Sequence, residues 1–359
     1  MDSHRGERRM KMDFNSQKLT EFSNSCLVKI GVPQHEAKII TETMIEADAR
    51  GIHSHGLMRL PIYIERMQKG LVKKAANIQV VNDSKSIAVM DGNGSAGQVV
   101  ATQAMELAIE KAKEYGVGIV SARNSNHFGI AAHYALMASQ QDMVGIVMSN
   151  TAPLMPPTGG AEKVLGNNPL AIAAPTLLKF PLLLDMALSN VALGKILYAQ
   201  TKGTEIPAGW GADRDGNPTT DPSAVLNGGF ILPVGGPKGF GLALMVELLT
   251  GVLSGGAFSK MIPSMYDLTQ TQSIAHFMLA INISSFMEVE RFKELSTVLS
   301  SYVKDAVKAN GVEELYLPGE IELSAEGKRM QAGIPVADNV VAELNKLAEA
   351  LQVEPLHIQ

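Results

Sequence analysis

The chain has 359 residues, too many for one minimal domain, so two domains or one large α/β domain are expected. Hydrophobic residues make up 46 % and charged residues 19 %, the balance of an ordinary soluble protein with a real core. A net charge of −5 without a basic stripe argues against a nucleic-acid partner, and the single cysteine, Cys26, excludes an intramolecular disulfide and a cysteine-rich metal site and favours a reduced, cytoplasmic setting.

The start, MDSHRGERRMKMDF, is charged and lacks the apolar stretch of a signal peptide. Residues 1–12 are expected to form a disordered tail, with Met10 or Met12 as an alternative start. Helices follow over residues 16–70. QKLTEFSNSCLVKIG shows apolar spacing of three and four and stops at Gly31; Pro33 opens a second helix that ends near Gly51, and LMRLPIYIERMQKG ends at Gly70. The pattern then changes to strand SIAVMD, amphipathic helix GQVVATQAMELAIEKAKEYG, strand VGIVSAR, helix IAAHYALMASQQ and strand MVGIVMSN, an alternation that argues for an α/β core.

From Thr151 to Gly236 the chain is rich in Pro and Gly, with short strands in LAIAAP and FPLLLDM. KGFGLALMVELLTGVLSGG reads as a long helix, AHFMLAINISSF as a strand, residues 288–309 as helical and ELYLPGE as a strand end, before two closing helices. The most apolar runs carry Glu247 and Asp185 and fall short of the ~20 apolar residues of a membrane span, so no membrane partner is expected. The terminal helices are expected to pack into one discontinuous domain, residues 13–75 plus 322–359, around a central α/β region, 76–321, that carries the site.

Within DGNGSAG, Gly92, Gly94 and Gly97 spell G-x-G-x-x-G, the dinucleotide-binding fingerprint. A helix follows, as that fingerprint requires. The preceding strand, however, ends in Asp91, whose charge would repel a pyrophosphate, and the next strand ends in Ser121, Ala122 and Arg123 where an acid for the ribose hydroxyls is due. A tight loop between strand and helix is the competing explanation.

Three other stretches concentrate polar chemistry. In RGIHSHGLMRL, His53 and His55 make a poor metal pair if extended, whereas Arg59 offers a two-pronged grip on a carboxylate and His55 a proton near neutral pH. A solvated turn between helices would look the same. In RNSNHFG, His127 follows a core strand, where general acids and bases are often placed, although a lone histidine is more often structural. GGPKGFG opens a long helix, where small residues admit a phosphate and Lys238 adds charge. Asp185 ends an apolar strand and can cap a following helix or bind ribose hydroxyls.

Seven collinear segments carry a resemblance: ADARGIHSHGLMRLPIYIERMQKG, ARNSNHFGIAAHYALMA, LGNNPLAIAAP, LLLDMALSNVALGK, GNPTTDP, GGPKGFGLALMVELLTGVLSGG and LPGE. From about residue 16 to 350 the chain resembles the malate/L-lactate dehydrogenase family of the second type, which also holds ureidoglycolate, sulfolactate and diketogulonate oxidoreductases. The resemblance implies an α/β, α+β-like, non-Rossmann nicotinamide-binding fold. It also implies NAD or NADP as cofactor, a small 2-oxo or 2-hydroxy acid as substrate, and a homodimer with the site between domains and near the partner subunit. DGNGSAG then matches the family's loop before a helix, away from the dinucleotide, and the fingerprint is a decoy.

Carried over by motif, Ser54 and Arg59 are implied in substrate binding with Asn168, and His127 and His55 as the two candidate proton donors, His127 preferred. Asn150, Asp185, Met186, Ala187, Lys238, Gly319 and Glu320 are implied in cofactor binding. Two departures blur the substrate. Asn167 stands where the family usually has Thr, and Gly236-Pro237-Lys238-Gly239 is shorter than the malate branch's loop. With His53 and the SMYD at Ser264–Asp267 this leans towards ureidoglycolate, while ARNSNHFGIAAHYALMA leans towards malate. The rivals from other classes are a metal-dependent hydrolase using His53, His55, His127 and Asp185, and a non-catalytic nucleotide binder.

Overall fold

The computed structural model describes residues 11–357. By their contacts the residues fall into two units, one comprising the chain up to Ala75 and from Glu320 on, the other Ala76–Gly319.

The first unit begins with strand β1 (Lys11–Phe14) and helices α1 (Ser16–Lys29), α2 (Gln34–Ala49) and α3 (Leu60–Gln68). The Asn15 side chain caps α1 by accepting the Gln17 N–H, and Leu19, Phe22, Cys26 and Leu27 form its buried stripe. Burial pushes the Cys26 thiol up to about 12, so this cysteine is an inert core residue. Two 3-10 turns, His53–His55 and Leu57–Arg59, join α2 to α3.

The second unit is organised on seven strands: β2 (Gln79–Ser84), β3 (Ile87–Asp91), β4 (Val117–Ser125), β5 (Met143–Ser149), β6 (Leu170–Ala174), β7 (Leu182–Met186) and, after three short strands β8 (Gly211–Ala212), β9 (Pro218–Thr219) and β10 (Phe230–Ile231), the long β11 (Ile274–Asn282). The spatial order is β2-β3-β4-β11-β5-β6-β7, and the short strands form a separate three-stranded sheet. Only β3 and β4 pair in parallel; every other neighbour in the large sheet is antiparallel. Helix α4 (Gly97–Tyr115) joins β3 to β4, and α5 (Ala131–Ser139) joins β4 to β5; both pack on the sheet and on each other.

Helices α6 (Leu193–Lys202) and α7 (Pro222–Leu226) lie in the stretch that composition shows only as rich in Pro and Gly. They share a buried cluster with α8 (Pro237–Glu247), built on Leu188, Ile196, Val225, Ile231, Ala243 and Val246. Helix α9 (Val289–Lys304) completes the unit. In the first unit, α10 (Glu320–Ala332), β12 (Ile334–Ala337) and α11 (Asp338–Leu351) follow, and β12 pairs antiparallel with β1.

Several sequence expectations change. Residues 1–10 of the expected tail lie outside the described residues, but Lys11 and Met12 pair with Ala337 and Val336, because β12 offers them an open edge. ELYLPGE forms no strand, although the Pro318 carbonyl accepts the Leu183 N–H of β7. The long helix from Lys238 is interrupted, since α8 passes at Leu248–Val252 into a π turn. β2 is missed altogether, because all six of its residues are exposed and it carries no apolar alternation.

The antiparallel order has one consequence for function. The C-terminal ends of β3, β4, β5 and β7 and the N-terminal ends of β6 and β11 all lie at the same end of the large sheet. Asp91, Arg123, Asn150, Asn168, Asp185 and Met186 are thereby gathered from almost a hundred residues of chain.

Candidate functional site

At that end, Asp91 is an anchor. Its carboxylate accepts Arg123 Nε at 3.2 Å, Asn124 Nδ2 at 2.9 and 3.1 Å, and the Asn93 N–H at 2.9 Å. Burial opposes its charge, but the bonds to Asn93, Asn124 and Arg123 hold its carboxyl below the usual range. The glycine loop continues the clasp: the Gly92 and Gly94 N–H groups donate to the Arg123 and Asn124 carbonyls, each at 2.8 Å. Asn126 Nδ2 reaches the Ser95 carbonyl at 2.9 Å. A Cβ at Gly97 would lie 2.1 Å from the Asn126 carbonyl oxygen and 2.4 Å from that of His127. The G-x-G-x-x-G segment therefore holds the RNSNH loop.

His127 sits half-buried at the tip of that loop. Its N–H donates to Gln272 Oε1 at 3.4 Å, and the Gly129 N–H points at its Nδ1 at 3.4 Å. Phe128, next in the chain, stacks on His276 at 4.6 Å between ring centroids. His276 is fully buried in β11, with Nδ1 on Ser149 Oγ (2.9 Å) and Nε2 on Ser125 Oγ (2.8 Å). Burial lowers its pKa to about 3, so it is a neutral crosslink of the β4, β11 and β5 ends.

Asn150 and Asn168 are completely buried. Asn150 Nδ2 donates to Glu247 Oε1 (3.3 Å) and the Ala257 carbonyl (3.0 Å), while its Oδ1 accepts the Ala275 N–H (2.8 Å). Asn168 Nδ2 donates to Glu247 Oε2 (2.7 Å) and the Ala243 carbonyl (3.0 Å), and its Oδ1 accepts the Thr151 N–H (3.1 Å). Both side chains are spent on the protein, so they shape the loops that carry them.

Asp185 Oδ2 accepts the Ala132 N–H at 3.1 Å and so caps α5, a helix from earlier in the chain; no helix follows β7 until Leu193. Met186 and Ala187 lead into a loop knitted to two others. The Leu188 N–H donates to the Asn167 carbonyl, and the Val234 N–H to the Leu188 carbonyl. The segments LGNNP, ALSN and PVGGPKG thus meet, and Lys238 stands exposed on the first turn of α8. Gly319, at φ +84°, packs against Leu183 of β7, where a Cβ would lie 2.6 Å from the Leu183 Cβ.

The remaining candidates belong to the first unit. Asp48, near the end of α2, accepts His53 Nδ1 and the Leu57 N–H, both at 2.7 Å, and so folds the HSHG segment into its two turns. Ser54 Oγ meets His55 Nδ1 at 2.9 Å, and Arg59 Nε donates to the Ser54 carbonyl at 2.6 Å. Burial, then the Arg59 charge, lower the His55 pKa to about 4. Ser54, His55 and Arg59 are therefore one hydrogen-bonded group. Glu320 opens α10, which is clipped to the end of α2 by Arg50 on Glu326 at 2.8 Å and by Arg329 on the Asp48 and Ala49 carbonyls.

Sequence reasoning missed Asp48, Glu247 and His276, and it weighed only the charge of Asp91, not the bonds that make it an anchor. An acid in an apolar helix is the one signal that could have marked Glu247. Among the described residues no three histidines, cysteines or carboxylates are grouped to hold a metal ion. Of the hydrolase ligands considered, His53 is bonded to Asp48 and Asp185 to Ala132. Among the described residues no helix is long and apolar enough to cross a membrane.

A family model described as malate/L-lactate dehydrogenase matches residues 14–345. The chain is 43 % identical to a malate dehydrogenase of Pyrococcus horikoshii, covering 94 % of this chain and 95 % of that one. It is 34 % identical to a ureidoglycolate dehydrogenase (NAD(+)) of Escherichia coli, covering 92 % and 94 %. A (2R)-3-sulfolactate dehydrogenase (NADP(+)) of Chromohalobacter salexigens is 37 % identical over 74 % of this chain and 79 % of its own. The solved sulfolactate dehydrogenase of Methanocaldococcus jannaschii superposes with a TM-score of 0.90 at 40 % identity, covering 96 % of this chain and 98 % of that one.

Proposed function

We propose, from the premise that the chain belongs to the malate/L-lactate dehydrogenase family, that it interconverts a malate- or lactate-type 2-hydroxy acid and its 2-oxo acid with NAD or NADP. As a member it is an oxidoreductase acting on small hydroxy acids. The observation that carries the proposal is the match over residues 14–345, which spans every residue given a role below. Ureidoglycolate oxidation is the second reading, favoured by the short Gly236–Gly239 loop and by the likeness to a ureidoglycolate dehydrogenase.

The chain suits a nicotinamide dinucleotide. Lys238 and the N-terminus of α8, an eleven-residue helix, together offer charge and backbone N–H groups to a phosphate. Asn150, Asp185, Met186, Ala187, Gly319 and Glu320 complete the proposed cofactor set. When bound, the nicotinamide supplies or accepts the hydride at the substrate's reacting carbon.

Arg59 binds the substrate carboxylate through its planar guanidinium, which Nε fixes on the Ser54 carbonyl. Ser54, and Asn168 through the loop it shapes, orient the acid. His127 moves the proton at the substrate oxygen through Nε2, since the Gly129 N–H faces Nδ1. His55, held near 4, is neutral at pH 7 and acts as a hydrogen-bonding partner.

A panel of oxaloacetate, pyruvate, oxalurate, sulfopyruvate and diketogulonate, read by NADH and NADPH absorbance, tests the proposal. Cofactor oxidation with a panel member is expected. Silence with every acid, together with no nicotinamide binding, overturns it. The proposed homodimer would sediment at twice 38.3 kDa.

A further inference from the structure

The mechanism leaves unused one buried carboxylate in the second unit. Glu247, the last residue of α8, is 3 % exposed. Three N–H donors converge on its two oxygens: Ser259 N–H (2.7 Å) and Asn150 Nδ2 (3.3 Å) on Oε1, and Asn168 Nδ2 (2.7 Å) on Oε2. Such an array suits an ionised carboxylate.

The chain is shaped around this meeting. The π turn begins at the next residue, Leu248, and carries Gly251, where a Cβ would lie 2.9 Å from Asn150 Nδ2 and 2.6 Å from the Ala257 carbonyl. Only glycine lets Asn150 lie that close. π turns of this kind gather at functional sites. Burial pushes the Glu247 carboxyl up, and the bonds from Ser259, Asn168 and Asn150 oppose that shift. Burying a carboxylate is costly unless hydrogen bonds compensate it, and here three N–H donors do so. These bonds tie the loop after β5, the loop before β6 and the segment after the π turn to one point.

We infer that Glu247 is a positioning residue that sets the Asn150 and Asn168 loops for nicotinamide and 2-oxo acid binding. The inference rests on the proposed function and deepens it. Glu247 touches neither ligand; it acts through the two asparagines.

Glu247→Gln is the test. The amide matches the carboxylate in size but presents an NH₂ to one of the donors, so one loop loses its anchor. The expected result is a folded enzyme whose dissociation constant for NADH or NADPH, and whose KM for the 2-oxo acid, rise roughly tenfold. The kcat at saturation should stay within about threefold, because His127 is untouched. Unchanged binding and KM in a folded variant overturn the inference and leave the proposed function standing. A wild-type chain that binds neither NADH nor NADPH sinks both.

If the variant does not fold, hydrogen exchange on the wild-type enzyme decides. The Thr151 and Ser259 amides, bonded to Asn168 and Glu247, should gain protection together when cofactor is added. No change in either amide overturns the positioning role.

Discussion

In the proposed role, the Arg59 guanidinium, oriented by the bond from Nε to the Ser54 carbonyl, would hold a carboxylate by geometry as well as by charge. Arg59→Lys keeps the charge and loses the fork. It is expected to raise the KM for the 2-oxo acid roughly tenfold with a smaller effect on kcat; an unchanged KM would remove Arg59 from substrate binding. His127→Ala should behave in the opposite way. A proton donor is worth roughly 10²–10⁴-fold in rate, so turnover should fall by that much while NADH affinity stays within about threefold. Lost NADH binding with retained turnover would mean that the proton comes from elsewhere. Arg59 and His127 are proposed from sequence because their residue types are suited to binding a carboxylate and moving a proton. The orientation of Asn150 and Asn168 could not be read there, because an asparagine reads the same whether its amide faces a ligand or a buried glutamate. His276 also gave no sign, since a histidine inside an apolar strand looks like any other strand position.

Elements explain why the glycine fingerprint misleads. β3 and α4 do form the strand–loop–helix unit that the fingerprint describes, and periodicity locates both. What periodicity cannot see is that Asp91 and the loop N–H groups are consumed by Arg123, Asn124 and the β4 backbone. Two alanine substitutions separate the possibilities. Gly97→Ala drives a Cβ into the Asn126 and His127 carbonyls; it should cost about 1–3 kcal/mol of stability and lower kcat by displacing His127. Gly94→Ala meets nothing within 4 Å and suffers only its positive φ of 75°, about 1–2 kcal/mol. It should leave kcat and nicotinamide affinity within about twofold, read by steady-state kinetics and fluorescence titration. A large loss of cofactor affinity in Gly94→Ala would restore the loop as a dinucleotide site. β2 and the short elements of Thr151–Gly236 escaped periodicity for a simpler reason: they are too exposed or too short to show one.

At the scale of the whole molecule, the strand–helix alternation identifies an α/β protein but not the antiparallel pairing of most of its sheet. Pairing direction is set by contacts between distant segments, such as β11 with β4 and β5, that no local window contains. That pairing also buries a histidine. With the half-buried His55 in the other unit, the molecule keeps two imidazoles far below their ordinary value of 6.5, His55 at about 4 and His276 at about 3. Between pH 6.5 and those values the unfolded chain binds more protons than the folded one, so stability falls as the pH falls through that window. Glu247 acts in the opposite sense, because its raised carboxyl takes up a proton more readily in the folded state and offsets part of the loss on acidification. The histidine effect is the larger expectation, since two groups contribute over a wider range. The midpoint of thermal unfolding should therefore drop between pH 7 and pH 5. His276→Gln, which removes the titrating ring and its bonds to Ser125 and Ser149, should lower stability at pH 7 by about 1–3 kcal/mol. It should also flatten the dependence on pH, because the proton that His276 refuses is no longer there to be taken up on unfolding. Thermal melts of both proteins across that range measure the two effects together, and an equally steep loss in the variant would show that the buried histidine is not what acid attacks.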